Sequence, residues 1–252
     1  MKVLVSNVQR FCLMDGPGIR TTVFTMGCKY RCPWCCNPEN LTRDIKTGKK
    51  TNIVYGKVLD SKELIDLLLK DKNFYDNDGG VTFSGGEFLL NVDEYIEVLK
   101  ELKKLGINIC VETSLNAPIE SLKKVIEYVD LFMIDFKIID KSNSLEVLKA
   151  SSESFIENFN YLKNNYNSTK YIARISLAKE VITDSNISMI KELITDFKPL
   201  KIEIFRIHQL AQSKYSDLGM TLNYNYVAND EEVKRVKDYL IDLNVDVEEI
   251  KI

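Results

Sequence analysis

The chain has 252 residues, of which 45% are hydrophobic and 28% are charged, a composition typical of a globular protein with a full hydrophobic core. Its formal charge of -3, with acidic and basic residues mixed along the chain, gives no electrostatic argument for a nucleic-acid or membrane partner. The first residues lack the basic region followed by an apolar run that is typical of a signal peptide. No apolar run reaches the ~18 residues of a membrane span. We therefore expect a cytoplasmic protein, in which clustered cysteines are metal ligands or catalytic thiols rather than disulfides.

After an extended N-terminal segment, short apolar runs of β type alternate with helical patterns. The predicted strands are 20–27, 81–84, 107–112, 131–136, 170–177 and 201–208. Strands separated by helices favour parallel βα units, and about six such units favour a full or partial barrel. A helix near 229–243 and a strand at 245–252 are predicted to close the chain. Because no linker rich in Pro, Gly or Ser interrupts the pattern, we predict a single domain, 1–252.

Several helix ends have recognisable signals in the sequence. Asp60 with Glu63, and Asn91 with Glu94, have the spacing of an N-cap residue and its N3 partner. Gly106 is typical of the residue that follows a helix. These signals predict one helix that begins after Asp60 and another that begins after Asn91 and ends before Gly106.

The most unusual segment is CKYRCPWC, residues 28–35, which is followed at once by another cysteine. The spacing C-x3-C-x2-C leaves three cysteines free to point to a common centre, where thiolates repel one another unless a cation lies between them. A metal site is therefore the first interpretation. One alternative is a zinc site whose fourth ligand is Cys36, Cys110 or His208.

Polar residues lie at or just beyond the ends of the other predicted strands. They are Ser84–Glu87, Glu112–Ser114, Asp135–Lys137, Arg174 within the fifth strand, and His208. Because the carboxyl ends of parallel strands share one rim of a barrel, we expect these residues to meet in one site.

Each of these signals also has a purely structural interpretation. Gly85 and Gly86 are compatible with a tight turn after a strand. Asp135 and Lys137 are compatible with an ion pair in the core, although charges in a barrel interior more often mark a polar site. A single histidine such as His208 is usually a hydrogen-bonded structural residue. The case for a site rests on the joint occurrence of the signals.

The cysteine motif resembles the iron–sulfur motif of the radical S-adenosylmethionine (SAM) superfamily. Wider segments are similar to activating enzymes of glycyl-radical enzymes, especially the pyruvate formate-lyase type: 15–39 (DGPGIRTTVFTMGCKYRCPWCCNPE), 79–90, 109–114, 130–140 and 207–219. The resemblance implies a partial (β/α)6 barrel and an anaerobic oxidoreductase. It implies reductive cleavage of SAM to methionine and a 5′-deoxyadenosyl radical, which removes hydrogen from a glycine of a partner enzyme.

The resemblance also implies roles for individual residues. A [4Fe–4S] cluster with one open iron would be held by Cys28, Cys32 and Cys35. SAM would be bound by Trp34, Cys35, Cys36, Gly85, Gly86, Glu87, Ser114, Asp135, Phe136, Lys137, Arg174 and His208. The substrate peptide would dock at Asp15 and Gly16. A monovalent cation would lie at Glu112, Thr113, Met133 and Asp135.

The sequence departs from these relatives at some positions. Glu112 stands where they have an aspartate, and no cysteine lies between Cys36 and Cys110, so the ferredoxin-like insertion of many such activases is absent. The expected partners are a glycyl-radical enzyme and an electron donor, flavodoxin or ferredoxin, with the chain itself a monomer. Two other functions remain open: a radical SAM enzyme for a free peptide or small metabolite, and a non-enzymatic barrel stabilised by zinc.

Overall fold

Strands and helices alternate along the chain in a computed structural model that describes residues 1–76, 78–165 and 171–251. The strands are β1 (Lys2–Cys12), β2 (Arg20–Thr25), β3 (Lys46–Thr47), β4 (Val54–Tyr55), β5 (Lys57–Asp60), β6 (Gly80–Gly85), β7 (Asn108–Thr113), β8 (Leu131–Phe136), β9 (Tyr171–Leu177), β10 (Lys201–Arg206) and β11 (Val247–Ile250). The helices are α1 (Ser61–Leu69), α2 (Val92–Lys104), α3 (Ile119–Val125), α4 (Lys141–Leu148), α5 (Glu153–Asn165), α6 (Asp184–Asp196), α7 (Gln212–Asp217) and α8 (Asp230–Leu240).

Nine strands form one sheet in the order β11-β10-β9-β8-β7-β6-β2-β1-β5. The central strands β2 and β6 to β10 all pair in parallel, which confirms the predicted α/β class. Strand β11 adds in parallel to β10, whereas β1 pairs antiparallel with both β2 and β5. The order has two ends, so the described strands form a partial (β/α)6 barrel.

The predicted strands agree with the structure except at their limits. The sixth strand ends at Arg206, so His208 lies beyond it rather than at its last position. Lys170, the first residue of the fifth predicted strand, lies outside the described residues. None of the described helices has the length and apolar character needed to cross a lipid bilayer.

The two faces of the sheet have different chemistry because successive side chains of a strand point to opposite sides. In β8, Phe136 lies in the main core, where its ring contacts those of Phe155 and Phe159 at centroid distances of 5.3 and 5.4 Å. The alternate residues of the strand, Met133 and Asp135, point to the inner face of the barrel. The outer face thus binds the helices, and the inner face is left for a site.

One predicted helix cap is confirmed and another has a different role. The backbone N–H of Asp60 donates to Glu63 Oε2 at 2.7 Å, as expected for a capping box at α1. Asn91 precedes α2 as predicted, but its side chain does not cap the helix. It donates instead to the carbonyl oxygens of Met26 and Glu87, at 3.0 and 3.2 Å. Asn91 therefore ties the cysteine loop to the strand end that precedes α2.

The arginine of the DGPGIR segment anchors the N-terminal loop. Arg20 is fully buried, and its guanidinium donates to oxygen atoms of the loop and of neighbouring strands. The acceptors are Thr82 Oγ1 (2.6 Å), Pro17 O (3.0 Å), Asp78 O (3.0 Å), Val81 O (3.0 Å) and Asn108 Oδ1 (2.9 Å). Because one side chain satisfies these acceptors, the path of the loop before β2 depends on it.

We expect Arg20→Met to lower the free energy of unfolding by about 3 kcal/mol, because buried acceptors lose their donors. Urea unfolding measures this difference. The matched control is Arg235→Met on α8, where the side chain is 45% exposed and the change should stay within about 0.5 kcal/mol. Equal losses in the two variants would contradict the anchoring role.

Candidate active site

A cavity of about 280 Å³ opens on the inner face of the barrel, at the carboxyl ends of the parallel strands. Its wall brings together residues from all the predicted site segments: Asp15, Cys28, Cys32, Trp34, Cys35, Cys36, Ser84, Gly85, Gly86, Glu112, Thr113, Ser114, Asp135, Lys137, Arg174 and His208. Asp15 and His208, which are far apart in the sequence, therefore share one cavity.

The three cysteines of the motif are half-buried in the cavity wall, and Cys36 is exposed. Burial raises the pKa of the Cys28 thiol to about 12, and the negative charges of Glu87 and Cys32 add to the effect. Burial also raises the pKa of Cys35, with contributions from the neighbouring cysteines. The thiols are thus close enough to influence one another, and they become thiolates together only around a cationic centre.

A lysine supplies positive charge beside the cysteine loop. The Nζ atom of Lys137 lies 3.4 Å from Asp135 Oδ2, and both side chains line the cavity. Burial alone would lower the pKa of Lys137, but the negative charges of Asp135, Cys32 and Cys28 outweigh it and raise the pKa. Lys137 therefore stays charged and partly compensates the thiolates.

The donor set fits an iron–sulfur cluster better than a single zinc ion. Within residues 1–76, 78–165 and 171–251, no three His, Cys, Asp or Glu side chains are arranged to hold one metal ion. Cys110, one candidate fourth zinc ligand, lies in a separate apolar cluster with Met133. Cysteines that bind different irons of a cubane surround a wider space than the ligands of one ion do. Three cysteines in one cavity wall meet that requirement, and they would leave one iron of such a cluster without a protein ligand.

Gly85 and Gly86 form a part of the wall in which backbone lies against backbone. Gly85 has φ +109°, and a Cβ atom there would lie 2.4 Å from the backbone N and O atoms of Thr25. A Cβ atom on Gly86 would lie 2.3 Å from the carbonyl oxygen of Gly27. Neither position accepts a larger residue without moving the chain. The glycines therefore allow the end of β6 to lie directly beside the loop that leads to the cysteines.

Glu87 lies behind the cavity wall rather than in it. Its side chain is buried, and its carboxylate accepts hydrogen bonds from Thr113 Oγ1 (2.6 Å), Ser114 N (2.9 Å) and Ser114 Oγ (2.6 Å). The N–H of Leu89 donates to it as well, at 3.1 Å. Burial raises the pKa of Glu87, and these four donors oppose the rise. The carboxylate thus positions two residues of the wall, Thr113 and Ser114.

Three other predicted site residues also lie away from the cavity lining. Phe136 points into the aromatic core on the outer face, and Met133 lies in a small apolar cluster with Cys110. Gly16 has φ +119°, and a Cβ atom there would lie 3.0 Å from Arg20 Cδ. Gly16 is therefore required by the path of the loop.

Three residues that were not predicted as site residues also line the cavity: Asn37, Asn40 and Phe205. Asn37 and Asn40 both line the cavity, and neither carboxamide atom of the buried Asn40 has a hydrogen-bond partner among the described residues. Phe205 also lines it, with its ring centroid 5.2 Å from the guanidinium carbon of Arg174. Asn37 and Asn40 lie within five residues of the end of the cysteine motif, and this closeness was the one signal in the sequence that could have placed them in the site. For Phe205 the sequence offered only its position in a predicted strand.

Residues 22–175 match the family model described as the radical SAM superfamily. The chain belongs to this superfamily. Its members use a [4Fe–4S] cluster and SAM, and the chain is accordingly a radical SAM enzyme. When bound, these cofactors supply one-electron cleavage of SAM to methionine and the 5′-deoxyadenosyl radical.

Similar proteins are found over nearly the whole length of this radical SAM chain. The choline trimethylamine-lyase activating enzyme of Oleidesulfovibrio alaskensis is 28% identical, over 94% of each chain. The pyruvate formate-lyase-activating enzyme of Clostridium pasteurianum is also 28% identical, over 95% of this chain and 97% of the relative.

Solved structures share the fold. A domain of a pyruvate-formate lyase-activating enzyme from Bacteroides vulgatus has a TM-score of 0.56 at 24% identity, covering 68% of this chain and 99% of its own. Streptococcus suis SuiB bound to S-adenosylmethionine has a TM-score of 0.62 at 13% identity, covering 90% of this chain and 48% of its own.

We expect the anaerobically reconstituted protein to contain about four irons and four sulfides per chain. Replacing Cys28, Cys32 or Cys35 by Ala should each abolish iron retention, because the cubane loses one of its three anchors. Cys36→Ala, the matched control, should keep wild-type iron. Iron and acid-labile sulfide assays measure both. An essential Cys36 together with a dispensable member of the motif would refute the ligand set.

For Glu87→Ala we expect a loss of about 3 kcal/mol in the free energy of unfolding, because two hydroxyl and two backbone donors lose their acceptor inside the protein. SAM affinity should fall as a consequence of the displaced Thr113–Ser114 turn. Urea unfolding and calorimetry measure the two effects, with the half-exposed Glu101→Ala on α2 as control. Wild-type stability combined with lost affinity would instead indicate direct contact between Glu87 and SAM.

Proposed function

We propose that this radical SAM enzyme activates a glycyl-radical enzyme by removing a hydrogen atom from a glycine of that partner protein. The observation that carries the proposal is the position of Asp15. This residue comes from the DGPGIR segment, which a radical SAM barrel does not need for its cofactors, and it lines the same cavity as the motif cysteines. Relatives named as activases of choline trimethylamine-lyase, pyruvate formate-lyase and 4-hydroxyphenylacetate decarboxylase support it over almost the full chain.

In this proposal the cavity holds both cofactors. Cys28, Cys32 and Cys35 bind the cluster, and the two cations Lys137 and Arg174 face the carboxylate of SAM. The remaining contacts come from the backbone of Gly85 and Gly86 and from the side chains of Trp34, Cys36, Ser114, Asp135 and His208. Their positions in one wall support these roles.

The nucleoside end of SAM has an aromatic neighbour in this arrangement. Trp34 is buried beside the motif, with its ring centroid 5.5 Å from that of Tyr224. His208 lies beyond the end of β10, where the backbone is no longer held by the sheet. An aromatic wall and an imidazole are suited to a purine and its ribose.

The partner's glycine loop docks at Asp15 in this proposal. One carboxylate oxygen accepts from Thr22 Oγ1 at 2.6 Å, and the carbonyl oxygen accepts from Thr82 Oγ1 at 2.6 Å, so the residue is held in place. A fixed carboxylate is suited to accept main-chain N–H groups, which is the recognition available for a glycine. Leu13 and Met14, just before it, expose apolar side chains for the same partner.

The proposal also covers the electron donor, the cellular location and the oligomeric state. Lys29 and Arg31 are exposed within the cysteine motif, and they offer positive charge to an acidic one-electron donor such as a flavodoxin or a ferredoxin. We place the enzyme in the cytoplasm as a monomer formed by a single domain, 1–252, with no nucleic-acid or membrane partner. The nine-stranded sheet, which runs from β5 at one edge to β11 at the other, supports the single domain.

Electron paramagnetic resonance tests the function directly. Anaerobic mixtures would contain the reconstituted protein, SAM, a reductant and one purified glycyl-radical enzyme, from the pyruvate formate-lyase or the choline trimethylamine-lyase type. We expect a glycyl-radical signal in the mixture that holds the correct partner and none when SAM is omitted. Formation of 5′-deoxyadenosine stimulated only by a free peptide or a metabolite, with no radical on any partner, would favour the alternative substrate class.

Asp15→Ala should leave iron content, SAM affinity and slow uncoupled SAM cleavage near wild type while sharply lowering the yield of glycyl radical. The reason is that the carboxylate grips the partner backbone and is not needed for either cofactor. The control is Asp44→Ala, which removes an exposed carboxylate outside the cavity. A wild-type yield of glycyl radical in Asp15→Ala would contradict the docking role, and loss of the cluster or of SAM binding in this variant would make the segment structural.

A further inference from the structure

The resemblance implies a monovalent cation at Glu112, Thr113, Met133 and Asp135, but these groups are already engaged inside the protein. Glu112 Oε1 accepts from Arg174 Nη1 at 2.5 Å, and Glu112 Oε2 accepts from Ser84 Oγ at 2.5 Å. Both carboxylate oxygens thus have a donor.

The side chains of the other three members also have contacts within the protein. Thr113 Oγ1 donates to Glu87 at 2.6 Å and accepts from Leu115 N at 2.8 Å. The side chain of Met133 lies in the apolar cluster at the base of the barrel. The carboxylate of Asp135 has the ammonium of Lys137 at 3.4 Å. With Glu112 fully paired and the Met133 side chain in apolar contact, these side chains do not form a shell of free oxygen ligands for a potassium or sodium ion.

The guanidinium of Arg174 is a positive charge of the chain itself, and it lies beside the expected cation site. Its guanidinium reaches Glu112 on one side and lies 3.5 Å from Glu203 Oε2 on the other, and it is stacked over the ring of Phe205 at 5.2 Å. Its side chain is only 8% exposed, and it still lines the cavity. A guanidinium keeps its charge at any physiological pH.

The residue type at position 112 explains why the contact forms. A glutamate is one methylene longer than the aspartate found there in the resembling enzymes. In parallel strands β7, β8 and β9, Glu112 is paired with Met133, and Asp135 with Arg174. Glu112 and Arg174 are therefore separated by one intervening strand, β8, and the longer acid spans that gap on the inner face.

We propose that the guanidinium of Arg174 takes the place of the monovalent cation, so that this chain binds SAM without potassium or sodium. The inference rests on the proposed function only in that SAM is the ligand of the cavity. It needs no glycine-containing partner.

Calorimetric titration of SAM into the oxidised, cluster-reconstituted protein tests this directly, since no cleavage occurs without reductant. The titrations are made at equal ionic strength in potassium, sodium or tetramethylammonium chloride, the last being too large for a site that fits potassium. We expect the three dissociation constants to agree within about twofold. Binding that is at least about tenfold weaker in tetramethylammonium than in potassium would overturn the proposal.

A variant provides the converse experiment. Arg174→Met leaves Glu112 without its cation, so potassium should now tighten SAM binding and raise the thermal unfolding midpoint of the variant relative to tetramethylammonium. Arg235→Met on the surface of α8 is the control, with no response to the choice of cation. A folded Arg174→Met protein that ignores potassium in both measurements would contradict the inference. Neither experiment contains a partner enzyme. Both therefore test the role of Arg174 separately from the proposed activation of a glycyl-radical enzyme.

Discussion

The ion pair between Glu112 and Arg174 is the interaction on which the open interior of this barrel depends. Together with Ser84 and Glu203 it forms a chain of polar contacts across β6, β7, β9 and β10. Charged side chains on the inner face prevent the barrel from filling with apolar residues, and both carboxylate oxygens of Glu112 accept a hydrogen bond from a neighbouring side chain. Buried pairs of this kind contribute little net stability, so their presence in a barrel interior points to a function in binding.

The rest of the molecule can be understood as support for this polar face. The outward residues of the same strands form an aromatic core with the helices, as Phe136, Phe155 and Phe159 illustrate. Arg20 fixes the loop before β2, and Glu87 fixes the turn after β7, so the cavity wall is held from both sides by buried side chains that do not enter it. The chemistry belongs to the two cofactors, and the chain supplies their geometry, charge balance and protection from water.

Much of the fold and part of the site could be predicted from the sequence. The alternation of strands and helices gave the parallel sheet, and the cysteine spacing with the strand-end residues located the cavity. The expected site residues that lie outside the cavity lining have a common explanation. Glu87, Phe136 and Met133 were assigned by motif position, but the face on which each side chain lies depends on strand register and on which buried donors need an acceptor. Asn91 shows the same point, since its amide serves a neighbouring loop instead of its own helix. Tertiary partners of this kind leave no pattern in a single sequence.

Transfer of deuterium tests the central claim most directly. The candidate glycyl-radical partner would be produced with deuterated glycine and incubated anaerobically with the reconstituted enzyme, SAM and reductant. Mass spectrometry then measures the isotope content of the 5′-deoxyadenosine that forms. We expect 5′-deoxyadenosine to carry deuterium taken from the partner while the partner gains its radical. Unlabelled 5′-deoxyadenosine alongside a radical-bearing, fully labelled partner would show that the hydrogen comes from another source and would contradict the claim.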